Sequence, residues 1–183
     1  MLIIVEGPDG SGKSTLIKQL REKPPVLPLW AISNLARCRS ESQADSFARA
    51  AVELQRSSSV FISDRFPHLS EYVYGPMIRG TTWLDGTTPS LDWLKEFVEG
   101  FLEKPLIIYC RPPFHGIRDN ALKEKQMDGV HESLASLTAR YDEMMDGLSD
   151  TKTPLVYYDY NMSTSFSFVS NRIQSYILEQ SNV

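Results

Sequence analysis

The first 20 residues restrict the fold of this chain more than any other segment does. Residues 2–5 (LIIV) form a short apolar run rich in β-branched side chains, which is typical of a strand buried on both faces. Residues 7–14 read GPDGSGKS and match the phosphate-loop pattern G-x-x-x-x-G-K-[ST], and residues 15–20 carry apolar side chains at helical spacing. A strand, a phosphate loop and a helix in this order predict a binding site for a nucleoside triphosphate.

Each residue type in this loop has a physical role in holding a polyphosphate. Glycines allow the chain to turn tightly, so that successive backbone N–H groups point at the phosphates, and the new helix adds the positive end of its dipole. We expect the Lys13 ammonium to reach the β- and γ-phosphates and the Ser14 hydroxyl to bind Mg²⁺. The predicted triphosphate-binding residues are Gly7, Asp9, Gly10, Ser11, Gly12, Lys13, Ser14 and Thr15.

Composition narrows the class of protein further. The 183 residues suit a single domain, 1–183. The formal net charge of −4 weighs against a protein that binds mainly to the phosphate backbone of nucleic acids. Two distant cysteines and three scattered histidines indicate neither a disulfide framework nor a zinc site. The sequence shows no signal-peptide pattern and no apolar run of membrane-spanning length. We therefore expect a cytoplasmic protein with no membrane partner.

Strand-like and helix-like segments alternate along the chain. The predicted strands are residues 2–5, 26–30, 60–63, 106–110 and 155–158. The predicted helices are residues 15–20, 40–56, 67–79, 91–103, 119–145 with a break near 128–129, and 168–178. This alternation predicts an α/β fold with a central parallel sheet of about five strands and helices on both faces. Ligands of such sheets bind at the carboxyl ends of the strands, where Gly7 and Asp64 both fall.

The dipeptide Asp64-Arg65 follows the third predicted strand and indicates how the triphosphate is used. A carboxylate at Asp64 can hold Mg²⁺ through water or accept a proton from a hydroxyl, and the Arg65 guanidinium can form two hydrogen bonds with a phosphate. A buried ion pair that only supports the fold is the alternative. The chain has neither the N-K-x-D motif of GTPases nor the apolar run ending in Asp-Glu of many motor ATPases. The two motifs together favour a kinase.

Three segments resemble thymidylate kinases. Residues 6–15 (EGPDGSGKST) resemble the phosphate loop of that family, residues 62–66 (ISDRF) with Ser70 resemble its Asp-Arg-Tyr segment and downstream serine, and residues 155–159 (LVYYD) resemble its last strand. Residues 70–75 (SEYVYG) with Arg79 depart from the Ala-Tyr-Gln of that family and look more like thymidylate-kinase-like proteins encoded by bacterial viruses. The resemblance implies a P-loop nucleoside/nucleotide kinase fold with a short basic lid.

The resemblance also implies roles for individual residues. Lys13 and Ser14 would handle the donor phosphates and Mg²⁺. Asp9 would lie near the sugar or phosphate of the acceptor, and Arg65 would hold the acceptor phosphate.

Three aromatic side chains have two interpretations each. Phe47 resembles weakly a residue that stacks on the acceptor base, but it falls on the apolar side of its helix and is expected in the core. Tyr72 and Tyr74 follow Asp64-Arg65 closely, and we expect one of them to face the acceptor cavity and the other the core.

Residues 111–127 are the expected lid. Its basic side chains are Arg111, Arg118, Lys123 and Lys125, interrupted by Pro112, Pro113 and Gly116. Kinases of this class close a mobile basic segment over the phosphates, which excludes water and places positive charge where negative charge develops. Because Glu124 lies between the two lysines, they suit a solvated face, and Arg118 is the predicted catalytic arginine.

Three functions are compatible with these motifs. The first is ATP-dependent, Mg²⁺-assisted phosphoryl transfer to a deoxynucleoside monophosphate, thymidylate or a related pyrimidine nucleotide, with Arg79 or Arg37 assisting Arg65. The second is transfer to a hydroxyl, on a free deoxynucleoside or on a modified pyrimidine such as 5-hydroxymethyluracil within DNA, with Asp64 or Asp9 as base. The acidic net charge disfavours the DNA acceptor. The third is a nucleotide-binding module without catalysis, which would have no need of a lid.

The resulting site prediction has two parts. The predicted catalytic residues are Lys13, Asp64, Arg65 and Arg118, and the predicted metal ligands are Ser14 and Asp64. The predicted cofactors are ATP and Mg²⁺, and the family resemblance implies a homodimer.

Overall fold

Strands and helices alternate in the computed structural model, which describes residues 1–25, 29–32, 41–55, 59–81, 90–101 and 103–181. The strands are β1 (Leu2–Glu6), β2 (Leu29–Ile32), β3 (Val60–Asp64), β4 (Leu106–Cys110) and β5 (Leu155–Tyr158). The helices are α1 (Lys13–Glu22), α2 (Glu41–Gln55), α3 (Pro67–Tyr74), α4 (Leu91–Glu99), α5 (Phe114–Ala121), α6 (Val130–Ser149) and α7 (Ser165–Ser181). A π-helical turn, Gly75–Arg79, follows α3 directly.

The five strands form one parallel sheet in the order β2-β3-β1-β4-β5. The central strand is β1, in which Val5 pairs with Asp64 on one side and with Ile108 on the other. Every residue of β1 and β4 is buried, as expected for parallel strands covered on both faces. The predicted five-stranded parallel sheet is confirmed.

Alternate side chains of β1 enter two separate cores, because successive residues of a strand point to opposite faces. Leu2 and Ile4 pack with side chains of α2, α3, α4 and α6. Ile3 and Val5 pack with side chains of α1 and α7. Helices therefore cover both faces of the sheet, as predicted. Phe47 is 4% exposed and its ring lies 5.0 Å from that of Phe66, so its expected core position is confirmed.

Two of the helix boundaries that differ from the prediction lie beside glycines. Helix α1 begins at Lys13 instead of residue 15, since the phosphate loop leads into it through Gly12 in a left-handed conformation. Helix α4 ends at Glu99 instead of residue 103, with Gly100 as its C-cap.

The predicted helices 67–79 and 119–145 are each more complex than expected. The first is α3 followed by the π-helical turn. The second is two helices, α5 and α6, separated by residues 122–129, and α6 begins after the left-handed Gly129. The expected break near residues 128–129 therefore marks the start of α6.

Helix α5 occupies the centre of the expected lid. Its inner residues Ile117 and Ala121 are fully buried and form a small core with Leu134 of α6.

Some expectations concern residues outside the described ranges. These are residues 26–28 of the second predicted strand, residues 40 and 56 of the predicted helix 40–56, residue 102 of the predicted helix 91–103, and Arg37, the alternative to Arg79 as the residue that assists Arg65. Within the described ranges, no helix has the length and apolar character needed to cross a membrane.

Candidate active site

The phosphate loop joins the carboxyl end of β1 to α1 and turns through glycines with positive φ. Gly10 has a φ of +79° and Gly12 of +88°, which side chains with a Cβ rarely adopt. Gly10 also lies against α5, where a Cβ would come within 2.7 Å of the backbone nitrogen of Ala121. A Cβ at Gly12 would lie 2.8 Å from the ring of Tyr160. The glycines of the motif thus satisfy a packing requirement as well as a conformational one.

Lys13, the first residue of α1, folds its side chain back over the loop. Its Nζ donates to the carbonyl oxygens of Gly7 and Pro8 over 2.9 and 2.7 Å. Burial, together with repulsion from the Arg65 guanidinium, lowers the pKa of Lys13 to about 8. A polyphosphate bound beside it would favour the charged ammonium, because an opposite charge within a few ångströms stabilises the charged form.

The two predicted metal ligands lie side by side. Ser14 Oγ donates to Asp64 Oδ2 over 3.3 Å, and Asp64 Oδ1 is buried with no hydrogen-bond partner among the described residues. Hydroxyl and carboxylate oxygens suit Mg²⁺, which commonly takes one or two protein ligands and completes its shell with water and substrate phosphates. The described ranges hold no cluster of three His, Cys, Asp or Glu suited to a metal. The residues at this place therefore fit Mg²⁺ that is bound together with a triphosphate.

Arg65 has a left-handed backbone conformation, with φ of +70°, and no other non-glycine residue in the described part of the chain has positive φ. Hydrogen bonds on both sides hold this conformation. Arg65 N donates to the Val5 carbonyl over 2.9 Å, and Ser63 Oγ donates to the Arg65 carbonyl over 2.5 Å. Residues with a strained backbone conformation are common at functional sites, where the conformation directs the side chain toward a ligand.

The Arg65 guanidinium forms an ion pair with Asp9 of the phosphate loop. Its Nη2 donates to Asp9 Oδ1 over 2.7 Å and to the Tyr74 hydroxyl over 3.0 Å, and its Nη1 donates to the Tyr141 hydroxyl over 2.6 Å. Tyr74 in turn donates to Asp9 Oδ2 over 2.8 Å. Burial acts to raise the pKa of Asp9, but Arg65 and the hydrogen bonds around the carboxylate keep that pKa below its ordinary value. This partly buried ion pair therefore joins Arg65 to Asp9 and not to Asp64.

The phosphate loop and the Asp64-Arg65 dipeptide line one shared cavity of about 340 Å³. The predicted site residues in its wall are Asp9, Gly10, Gly12, Lys13, Ser14, Thr15, Asp64 and Arg65. Gly7 and Ser11 belong to the loop but do not line the cavity: Ser11 is fully buried, and a Cβ at Gly7 would lie 2.7 Å from the carbonyl oxygen of Cys110. The site that the two motifs predict thus forms a single hollow.

The basic residues of the expected lid have different surroundings. Arg111 is tied to Asp142, to which its Nε and Nη2 donate over 2.5 and 2.7 Å. Arg118 is exposed on α5, with its Nε 3.6 Å from Asp119, and its side chain is not part of the cavity wall. Lys123 lines the cavity although the sequence suggested a solvated face for it. The structure therefore brings Lys123, and not Arg118, to the cavity.

Tyr72 and Tyr74 are both buried and neither lines the cavity, so the expectation that one of them faces it is not met. The Tyr74 hydroxyl contacts Arg65 and Asp9, whereas Tyr72 is 1% exposed in the core, with the Arg140 guanidinium over its ring. Tyr141 of α6 had not been expected at the site. Its place in the sequence predicts an aromatic side chain on the buried side of a helix. No neighbouring residue in the chain indicates that the Tyr141 hydroxyl reaches Arg65.

Comparisons with known proteins give one sequence relative and several similar structures. No family model matches the chain. A "Probable thymidylate kinase" of Methanoculleus marisnigri is 33% identical over an alignment 131 residues long, and the match covers 57% of this chain and 60% of that protein. The chain therefore spans about three fifths of the length of this curated relative.

The similar structures cover nearly the whole chain. The YorR protein of Bacillus subtilis, in complex with phosphorylated GDP, has a TM-score of 0.65 and 21% identity, with 100% of this chain and 99% of that chain covered. Deoxyadenosine kinase of M. mycoides with bound dATP has a TM-score of 0.63 and 15% identity, with 95% of this chain and 100% of that chain covered. This chain therefore has the P-loop nucleoside/nucleotide kinase fold that the sequence predicted.

Proposed function

We propose that this protein transfers the γ-phosphoryl group of ATP to a nucleoside or nucleotide. The observation that supports this most directly is the shared cavity, into which a phosphate loop and an Asp-Arg pair both open. A phosphate loop by itself is also compatible with a GTPase switch or a motor ATPase. A guanidinium and a carboxylate across the same cavity supply what a second, phosphate-accepting substrate needs.

The donor half of the cavity consists of the phosphate loop, Lys13 and the Ser14–Asp64 pair. Backbone N–H groups of the loop and the Lys13 ammonium would bind the β- and γ-phosphates. Ser14 and Asp64 would hold Mg²⁺, which neutralises charge on the transferring phosphoryl group when it is bound. Arg118 stays our proposed catalytic arginine on the family resemblance alone, since its side chain is exposed on α5 and outside the cavity wall.

The acceptor that we propose first is a deoxynucleoside monophosphate, thymidylate or a related pyrimidine nucleotide. The relative that is 33% identical carries the name thymidylate kinase, and its match supports this class. Arg65 lies in the cavity wall, where its guanidinium is suited to bind an ionised phosphate. Such an acceptor requires a cation and no general base, because its phosphate is already ionised.

A hydroxyl acceptor is the second candidate, because the carboxylates of Asp9 and Asp64 both line the cavity. Arg65 is already paired with Asp9, which leaves its guanidinium less available for the phosphate of an acceptor. A carboxylate within hydrogen-bond reach of a hydroxyl can accept its proton during transfer. The similar structure of a deoxyadenosine kinase supports an acceptor of this kind.

Radiolabelled ATP with Mg²⁺ and a panel of acceptors tests the proposal. The panel contains deoxynucleoside monophosphates, free deoxynucleosides and DNA with 5-hydroxymethyluracil. Label on a monophosphate selects the first candidate, and label on a hydroxyl selects the second. ATP binding without any transfer would leave a nucleotide-binding module and overturn the proposal.

The Lys13→Ala variant is the control for the donor site. We expect it to lose transfer while its circular dichroism spectrum stays that of the parent protein. Full activity in this variant would place the donor site elsewhere. A DNA acceptor, a homodimer, a cytoplasmic location and the virus-encoded branch of the family remain predictions from the sequence.

A further inference from the structure

Glu6 carries a buried carboxylate that has no part in the proposed chemistry. Glu6 is the last residue of β1, immediately before the phosphate loop, and is completely buried. Burial raises the pKa of Glu6, and the Arg65 guanidinium and the Phe66 N–H act in the opposite direction. A charged residue type in a core costs stability unless hydrogen bonds compensate, so its contacts indicate what it does.

Both oxygens of Glu6 accept hydrogen bonds from groups around Arg65. Oε1 accepts from Phe66 N over 2.5 Å and from Ser70 Oγ over 3.4 Å. Oε2 accepts from the Tyr141 hydroxyl over 3.1 Å. The Phe66 amide belongs to the residue that follows the left-handed Arg65, and Tyr141 is the residue whose oxygen accepts from Arg65 Nη1. One carboxylate therefore holds both the backbone and the side chain of Arg65.

The direction of the hydrogen bonds from Arg65 through Tyr141 to Glu6 is fixed by which groups can donate. Arg65 has donors only, so the Tyr141 oxygen can receive Nη1 only with a lone pair. The Tyr141 proton must then point elsewhere, and it points to Glu6 Oε2. Because Glu6 Oε2 accepts the Tyr141 proton, Glu6 sets the orientation of the hydroxyl, and the hydroxyl sets the orientation of the guanidinium.

We propose that Glu6 is a positioning residue for the acceptor half of the cavity: through Tyr141 and the Phe66 amide it holds the Arg65 guanidinium beside Asp9. This inference rests on the proposed function, in which Arg65 faces the acceptor. Glu6 itself lies outside the cavity wall and acts only through Arg65.

The Tyr141→Phe variant tests the proposal by removing one hydroxyl from the link. Tyr109→Phe is the matched control, because Tyr109 is equally buried, its ring stacks on Tyr141 at 6.1 Å, and its hydroxyl donates to Asp142. We expect Tyr141→Phe to raise the KM for the acceptor about tenfold, the loss typical of a hydrogen bond to a charged group, with little change in the KM for ATP. Tyr109→Phe should change neither KM.

A double-mutant cycle separates positioning from general packing. If Tyr141 acts through Arg65, Tyr141→Phe has almost no further effect on the acceptor KM in an Arg65→Lys background. Independent, multiplicative losses in the two variants would overturn the proposal, and so would an equal rise in the KM for ATP and acceptor. Glu6→Gln replaces one carboxylate oxygen by an amide N–H group, which would then face a hydrogen-bond donor, either the Phe66 N–H or the Tyr141 hydroxyl. We expect this variant to show the same rise in the KM for the acceptor as Tyr141→Phe.

A measurement that does not depend on phosphoryl transfer can test the positioning role of Glu6 separately from the proposed kinase function. In the ¹⁵N NMR spectrum of the arginine side chains, restricted rotation of the Arg65 guanidinium is expected in the parent protein and in Tyr109→Phe, and faster rotation in Tyr141→Phe. If the parent protein transfers no phosphate, the proposed function fails, while this measurement still decides the positioning role. Equal rotation in all three proteins would overturn that role.

Discussion

Ser14 and Asp64 are separated by 50 residues in the chain, and their side chains meet at the carboxyl edge of the sheet, where Ser14 Oγ donates to Asp64 Oδ2 over 3.3 Å. The contact exists because β1 and β3 are neighbours and parallel, so that the phosphate loop after β1 and the last residue of β3 end at the same edge. A hydroxyl and a carboxylate from different elements thus form one oxygen pair for a divalent cation.

Removing either member of this pair should weaken the response to magnesium. We expect Ser14→Ala and Asp64→Asn each to raise the Mg²⁺ concentration for half-maximal transfer by about tenfold or more. The measurement is a Mg²⁺ titration of initial rate at saturating ATP. Ser46→Ala is the control, since Ser46 lies on the exposed side of α2. Unchanged Mg²⁺ dependence in both site variants would remove this pair from the metal site.

The two candidate lid cations should affect different kinetic constants. We expect Arg118→Ala to lower kcat by about a thousandfold, as loss of an arginine that stabilises transition-state charge does. Lys123 lines the cavity, so Lys123→Ala should raise the KM for ATP and largely retain kcat. Steady-state kinetics with varied ATP distinguishes these outcomes. If Arg118→Ala retains its kcat, Arg118 is a solvated side chain paired with Asp119 and has no catalytic role.

Gly10 should tolerate alanine less well than another glycine of the same conformation. Gly10 and Gly129 have φ values of +79° and +82°, but a Cβ at Gly10 would meet the α5 backbone, whereas no atom of the described residues lies within 4 Å of a Cβ at Gly129. Both substitutions carry the conformational penalty, and only Gly10→Ala adds a clash of about 1–3 kcal/mol. We expect urea unfolding to show the larger loss of unfolding free energy for Gly10→Ala. Equal losses would mean that α5 moves away from the loop at little cost.

His68 should make the fold less stable in weakly acidic solution. Its ring is 2% exposed and stacks on Phe97 at 4.4 Å, and burial lowers the pKa of His68 although Asp45 acts to raise it. As the pH falls below the ordinary histidine pKa of about 6.5, the unfolded chain takes up a proton before the folded chain does, so the unfolding free energy decreases.

The measurement is the free energy of unfolding at pH 7, 6 and 5. His68→Phe keeps an aromatic ring in the stack and should decrease less between pH 7 and 5 than the parent protein does. His131→Gln, at an exposed position of α6, should retain the parent dependence. A parallel decrease in all three proteins would assign the acid sensitivity to other groups.

The fold and the donor half of the site were predictable from sequence because their signals are local. GPDGSGKS is a contiguous motif, and the apolar runs of β1 and β4 are contiguous as well. Their alternation with helical segments predicts a parallel sheet, and a parallel sheet brings strand ends to one edge. The proximity of the phosphate loop to Asp64 follows from those local patterns.

The acceptor half depends on contacts that no local pattern contains. The position of Tyr141 in the apolar pattern of α6 predicts that its ring is buried. That pattern contains no information on which group the Tyr141 hydroxyl contacts. The partner of Tyr141 is Glu6, 135 residues away. Arg65 has a left-handed backbone at the end of β3, and its side chain pairs with Asp9 and not with its own neighbour Asp64. The sequence by itself determined the elements, their order and the phosphate loop, since these depend on residues close together in the chain. The tertiary structure alone decided the partners of Arg65, since hydrogen bonds between distant elements depend on which helix packs beside which strand.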